Sequence, residues 1–521
     1  MDTEPVRHRF RLLTLAGVCV SVLAANPTAS AAASAGRAAA PLPVCTASND
    51  TYSPTDIDAD ASSDLVVGVP SARADGSVDG AGAVDIHFAA RHSGQQRIQR
   101  FDESLFADLP APAYGDGFGS SVAFTHLRPT AGSVDRGDAC ADLVIGAPGY
   151  DDPLSGATGT VTIAQGSDSG ITPVGAIRLQ GHSARERFGA SVVADGDDIW
   201  VGAPNRTVDG QAGAGAVDHY RVTNGVASLV QTLTEDTPGI HGGAELNDHF
   251  GAQLSVSAFG PLVVGEPDED IGAHAVDGGT VTVVFANPST GLLSISGTYS
   301  QDSPGIPGTA EAGDLFGTSV GSVGSGTDGV GVTVGAPGEA LGSLRGAGTV
   351  DAFTVRPGQL VPAQVSALSQ SSAGVPGADE PFDHFGAQVA VVAGQLCIGV
   401  PGEDLGHVSD AGRALCRTGP NAWTTYAQGG TGFGDLGGAP QAGAAVGTQL
   451  SRLADDDEGD FFAGGEAVVV TIPGANVTLT ASGEVVLPQS LTATDSAGAV
   501  KAGRYGIAAT AVSNGARYDT R

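Results

Sequence analysis

The chain has 521 residues, a formal net charge of −33, a sequence pI near 4.4, 79 glycines and 29 prolines. Acidity on this scale excludes a nucleic-acid partner, whose phosphates would be repelled, and it suits hard oxygen-ligand cations such as calcium. An apolar fraction of 41% assigns the glycines to tight turns of a packed fold rather than to disorder.

Residues 1–31 read as a signal peptide. Arg7, Arg9 and Arg11 supply positive charge, Leu12–Ala25 is a short apolar run, and Ala29-Ser30-Ala31 offers a small-residue cleavage site. The run is too short to span a bilayer and no second one follows, so the expected location is secreted, extracellular or cell-surface associated, without membrane insertion. Residues 32–44, rich in Ala and Ser, form a flexible lead-in, and 45–521 form one domain. Once Cys19 leaves with the signal peptide, Cys45, Cys140, Cys397 and Cys416 remain, an even count for an oxidising setting. Three pairings are open. Cys397 with Cys416, on strands flanking one loop, is preferred, which leaves Cys45 with Cys140.

Two signatures alternate along the domain. Hydrophobic-Gly-x-Pro occurs at Val67–Pro70, Ile145–Pro148, Val201–Pro204, Val264–Pro267, Val334–Pro337 and Ile398–Pro401, with a damaged copy at Phe462–Gly465. Phe-Gly occurs at Phe118, Phe188, Phe250, Phe316 and Phe385, with weaker copies at Val446-Gly447 and Tyr505-Gly506. The unit is roughly 60 to 70 residues. Each contains short Val-, Ile- and Phe-rich runs bounded by Gly, Pro and Asp, which predict four antiparallel strands. Such sheets bury both faces when packed radially, the motif glycines permitting close approach. The signatures are offset at the ends, so the expected fold is an all-β, seven-bladed β-propeller of four-stranded antiparallel blades, closed by a C-terminal strand after Tyr505 that completes the sheet around Asp64–Pro70.

The interleaved Phe-Gly and Gly-x-Pro copies resemble the FG-GAP repeat family of integrin α-chain head propellers and secreted bacterial proteins. That resemblance covers residue 45 to the C-terminus and implies an extracellular propeller, often calcium-binding, used in adhesion or ligand recognition.

Asp56, Asp58, Asp60 and Asp64 immediately precede Leu65-Val66-Val67-Gly68. Alternate carboxylates in a tight loop converge on one ion, and calcium suits such oxygens. They match the family's Asp-x-Asp-x-Asp-Gly-x-x-Asp loop, except that Ala61 stands where glycine is usual. The alternative is a solvated acidic turn. A second loop, Asp135, Asp138 and Asp142, contains Arg136 and spells Arg136-Gly137-Asp138. The acidic stretches Glu266–Asp270, Glu403-Asp404 and Asp151-Asp152, at or just beyond the Gly-x-Pro motif, are expected on equivalent loops at one rim, giving that face a negative potential. Gly317–Gly321 formally fits a nucleophile elbow, but Ser319 falls on a predicted strand and the elbow needs a strand-to-helix turn. His249 and His384, preceding Phe-Gly, read as structural or rim residues.

The expected function is therefore a secreted, non-catalytic recognition or adhesion scaffold, not an enzyme, with calcium as cofactor and an extracellular glycan, wall polymer or protein as partner. The alternative is a secreted hydrolase with its site on the propeller rim or in the central channel.

Overall fold

A computed structural model describes residues 55–59, residues 64–451 apart from short loop stretches (the longest 128–139 and 430–439), and strands at 467–472, 475–480 and 485–486. The chain divides into two units, 1–38 and 39–521, and the described residues all belong to the second.

The first sheet pairs β1 (Leu65–Val69), β2 (Ala83–Phe88) and β3 (Arg97–Phe101). Six four-stranded antiparallel sheets follow, each hydrogen-bonded in sequence order. Blade one holds β4 (Ser121–Thr125), β5 (Asp142–Asp151), β6 (Thr158–Gln165) and β7 (Thr172–Gln180). Blade two holds β8 (Ser191–Asp195), β9 (Asp198–Ala203), β10 (Ala216–Thr223) and β11 (Val226–Leu233). Blade three holds β12 (Gln253–Val256), β13 (Leu262–Glu266), β14 (Thr280–Ala286) and β15 (Leu293–Tyr299). Blade four holds β16 (Ser319–Val323), β17 (Val330–Ala336), β18 (Thr349–Val355) and β19 (Ala363–Leu368). Blade five holds β20 (Gln388–Val392), β21 (Gln395–Val400), β22 (Arg413–Gly419) and β23 (Ala422–Tyr426). Blade six holds β24 (Leu450–Ser451), β25 (Ala467–Ile472), β26 (Ala475–Thr480) and β27 (Val485–Val486).

This corrects the expected seven blades closed by the C-terminus. Among the described residues the propeller has six four-stranded blades, and the first sheet has three strands with β1 at its edge. Among the described residues no C-terminal strand hydrogen-bonds to β1, so no sheet is closed by pairing the two ends of the chain. The strand expected after Tyr505, like the damaged motif at Phe462, lies outside the described residues.

Packing between sheets explains both signatures. Phe118, Phe188, Phe250, Phe316 and Phe385 are fully buried and are the largest such side chains in the core. Phe118 bridges Gly82 of the preceding sheet, and Phe250 likewise bridges Gly215. The Gly-x-Pro glycine faces the next blade's Phe-Gly glycine: a Cβ on Gly146 would lie 2.1 Å from the Gly189 carbonyl oxygen, and one on Gly335 would lie 1.9 Å from that of Gly386. Only glycine leaves room for backbones this close. Serines near the inner-strand starts reinforce the contact. The Ser121, Ser191 and Ser319 hydroxyls each donate to the next blade's Phe-Gly carbonyl at 2.8 Å. Ser319 is thus a buried strand residue clasping two blades, as its sequence position predicts.

Cys397 and Cys416 sit directly opposite each other on β21 and β22 and are disulfide-bonded, as expected. Cys140 is also disulfide-bonded, while its expected partner, Cys45, lies outside the described residues.

Replacing Gly335 with Ala is expected to destabilise the protein by ~2–3 kcal/mol or more, since a methyl group must displace backbone. Gly419→Ala, where the added Cβ would meet only the Ala422 Cβ at 3.5 Å, is expected to change stability by less than ~0.5 kcal/mol. Denaturant unfolding checks both, and equal effects would contradict this account of the motif.

Candidate functional site

Asp56, Asp58 and Asp64 come together. One carboxylate oxygen from each lies within 4.8 Å of the others. The chain folds back here through the Asp64 N–H, which donates to the Thr55 carbonyl at 3.1 Å. Asp64 Oδ2 accepts the Ile57 N–H at 2.9 Å, and the Ile57 side chain is buried in the apolar cluster shared with blade one. Asp56 and Asp64 are buried and Asp58 is half-buried. Calcium–oxygen distances of about 2.3–2.6 Å put opposed ligands about 5 Å apart, so these oxygens are spaced to share one such ion. Arg97 Nη2 also reaches Asp58 Oδ2, at 2.8 Å, and competes with a cation there. Asp60, the fourth expected ligand, lies outside the described residues, as do Asp135, Asp138 and the Arg136-Gly137-Asp138 triplet. The remaining acid of that second loop, Asp142, accepts the Leu127 N–H at 2.9 Å on one oxygen and the Gly166 N–H at 3.0 Å on the other. Its carboxylate organises backbone.

A set of sites that sequence reasoning missed lies at the blade junctions. Two residues before each motif phenylalanine stands an acid: Asp116, Glu186, Asp248, Asp314 and Asp383, all buried. Each accepts the N–H of the residue three positions earlier, as in Ser183 to Glu186 at 3.1 Å and Glu380 to Asp383 at 2.9 Å. The turn geometry fixes the carboxyl and aims it at the junction, where further polar groups gather. The recurrence of an acid at this one spacing was the available signal.

The junctions balance their charge differently. Arg206 donates to Glu186 Oε2 at 2.7 Å and makes a two-pronged contact with Asp218 at 2.9 and 2.7 Å. Burial opposes ionisation of Asp218, but hydrogen bonds from His182 and Arg206 outweigh it and hold the carboxyl below its usual range. Gln301 donates to Glu339 Oε2 at 2.7 Å beside Asp314. Gln370 and Arg413 both donate to Glu403. In the first junction Glu103 faces Asp116, and burial, then the Asp116 charge, push the Glu103 carboxyl up. In the third, Glu235, Asp248, Glu266 and Glu269 converge, with one oxygen from each within 4.8 Å of the rest. Glu266, Glu269 and Glu403, expected on loops that give one rim a negative potential, are buried at the junctions instead.

His249 Nδ1 pairs with Asp268 at 2.7 Å and His384 Nδ1 meets the Pro337 carbonyl at 3.0 Å. Both follow a junction acid and hold turns, in line with the structural role read for them. Among the described residues no helix is long and apolar enough to cross a membrane.

Several junction carboxyls keep their protons to unusually high pH. Burial, with a like charge nearby, raises Glu339, Asp351 and Asp383 to about 7 each; the added charges are those of Asp314, Glu339 and Glu403 respectively. The folded chain holds these protons where the unfolded chain has released them, so each raised pKa makes stability fall as pH rises. In chelator-treated protein, Tm is expected to drop between about pH 5 and about pH 8. A Tm that rises across that window would contradict the burial of these acids.

No family model matches the chain, and no curated protein matches it. The integrin-type FG-GAP resemblance is corrected accordingly, and the motif residues that carried it are accounted for by blade packing. Among solved structures, the chain is similar to a Bacteroides fragilis protein under a provisional 6-phosphogluconolactonase name, at 10% identity and TM-score 0.42, covering 82% of this chain and 94% of that one. It is also similar to a Lactobacillus plantarum protein, at 12% identity and TM-score 0.41, covering 82% and 95%. The expectation of a non-catalytic recognition or adhesion scaffold that is no enzyme rested on a repeat that fills the chain and leaves no room for a separate catalytic domain. It is withdrawn: blades that fill a chain still offer rims and a central channel on which a catalytic site can be built, as the hydrolase alternative supposes. At these identities and TM-scores neither likeness transfers a reaction or substrate to this chain.

Proposed function

We propose that this chain is a secreted, calcium-binding β-propeller whose Asp56, Asp58, Asp60 and Asp64 turn holds the ion against the first sheet. The observation that carries the reading is the convergence of the Asp56, Asp58 and Asp64 oxygens within 4.8 Å of one another. A disulfide joining neighbouring strands supports an extracytoplasmic location. Calcium bound here ties the turn before β1 to the edge of a three-stranded sheet, where backbone pairing is least complete. In calorimetric titration of the full chain with calcium, Asp64→Asn is expected to abolish one saturable event. Arg97→Ala, which removes the competing guanidinium, is expected to tighten it several-fold. Titrations of wild type and Asp64→Asn that superimpose would rule the site out.

Hydrolysis is the second reading, favoured by Asp314 and Glu339. These two carboxyls contact each other, and burial and their local charges raise them to about 6 and about 7. One protonated and one ionised carboxyl near neutral pH is the arrangement acid–base hydrolysis uses. Purified protein should then turn over a member of a lactone, ester and glycoside panel, with the rate lost in Glu339→Gln. An unchanged rate in that variant, or no turnover across the panel, sinks this reading.

A further inference from the structure

The repeat allows one junction to be compared with the others position by position. Four positions meet at each junction: the second residue after the outer strand, the acid before the motif phenylalanine, the variable residue of Gly-x-Pro, and the second residue beyond that proline. Entering blade two they are His182, Glu186, Ala203 and Arg206. Entering blade four they are Gln301, Asp314, Ala336 and Glu339. Entering blade five they are Gln370, Asp383, Val400 and Glu403, with Arg413 alongside. Entering blade three they are Glu235, Asp248, Glu266 and Glu269: an acid replaces the amide, another replaces the small residue, and a third stands where Arg206 stands one blade earlier.

All four are buried, Glu235 at 3%, Asp248 at 2%, Glu266 at 1% and Glu269 at 6% exposure. Thr280 Oγ1 donates to Glu266 Oε2 at 2.9 Å, and the Glu245 N–H donates to Asp248 Oδ2 at 2.5 Å. Among the described residues no N–H or hydroxyl donor reaches Glu235 Oε1, Glu235 Oε2, Glu266 Oε1 or Glu269 Oε2. Among the described residues no Lys, Arg or His forms an ion pair with any of the four. Buried carboxylate oxygens without a donor are costly, and here they point into one shared space. Clustered hard oxygens with no nitrogen or sulfur partner select a hard divalent cation. A mutual spacing within 4.8 Å lets one ion bridge all four, and an all-carboxylate shell suits calcium, whereas magnesium keeps several waters and takes one or two carboxylates.

We propose that Glu235, Asp248, Glu266 and Glu269 form a calcium site that staples blade two to blade three, the ion replacing the guanidinium that Arg206 supplies one junction earlier. Glu235 follows β11 of blade two and the other three belong to blade three, so the ion links two blades directly. This site is separate from the Asp56–Asp64 turn and does not depend on that reading.

The test is calcium calorimetry and thermal unfolding of the full chain after chelator treatment. Three variants are compared with wild type: Asp64→Asn, Glu235→Gln with Glu269→Gln, and Glu235→Gln with Glu269→Arg. The glutamine pair is expected to lose about one molar equivalent of calcium relative to wild type and the matching part of the calcium-dependent rise in Tm. Asp64→Asn is expected to keep that equivalent, which separates the two sites. The arginine variant copies the neighbouring junction's charge pattern, and it is expected to fold without calcium and to show a Tm that calcium no longer raises through this junction. Unchanged stoichiometry and an unchanged calcium-dependent Tm in the glutamine pair would overturn the proposal. Saturation by magnesium at equal affinity would overturn the assignment of calcium.

Discussion

Backbone touching backbone between sheets is the contact on which the rest of this propeller depends. At Gly146 against Gly189 and Gly335 against Gly386 there is no room even for a Cβ, so neighbouring inner strands approach as closely as chains can. That proximity closes off the apolar faces, and each motif phenylalanine is sealed into the core between sheets. It also drags the turn before each phenylalanine inward, together with the acid that shapes it. The polar chemistry of the molecule follows from how tightly the blades meet.

An acid buried in this way must be compensated, and the successive junctions do so with different side chains on one geometric plan. Arg206 serves Glu186 and Asp218; amides and Arg413 serve Glu339 and Glu403. Where neither is present the carboxyls meet one another, and burial pushes Glu266 well above its usual range. Protons can supply the missing charge, since burial and the neighbouring acids push Glu235 up to about 11 and Glu269 to about 8, but in a calcium-containing medium one dication can displace them and serve all four acids at once. The same physics makes the turn at Asp56–Asp64 a cation site on the first sheet, where Arg97 already occupies part of the field.

The alternation of Gly-x-Pro with Phe-Gly was legible in the sequence because it reflects a contact repeated with few exceptions, and it located strands, turns and the cross-strand Cys397–Cys416 pair. The blade number was not. Counting motifs credited the weak Tyr505-Gly506 copy with a strand completing the first sheet, whereas strand pairing yields six four-stranded blades and a three-stranded first sheet among the described residues. The family assignment failed for a related reason: a motif that solves a packing problem identifies the packing before it identifies a lineage. Asp56, Asp58 and Asp64 could be read from local spacing, since a single turn brings them together. Glu235, Asp248, Glu266 and Glu269 could not, because two strands and two blades assemble them. Acids at or beyond the Gly-x-Pro motif read as rim residues because nothing in their own segment shows that the neighbouring blade covers them.

Anomalous diffraction from calcium-grown crystals tests the central claim most directly, that unbalanced junction charge is met by an ion. The account predicts a peak between Glu235, Asp248, Glu266 and Glu269 and none beside Arg206, where the guanidinium already fills the role. Carboxyls found hydrogen-bonded to one another with no anomalous peak between them would contradict it, and would mean that the third junction is held by shared protons.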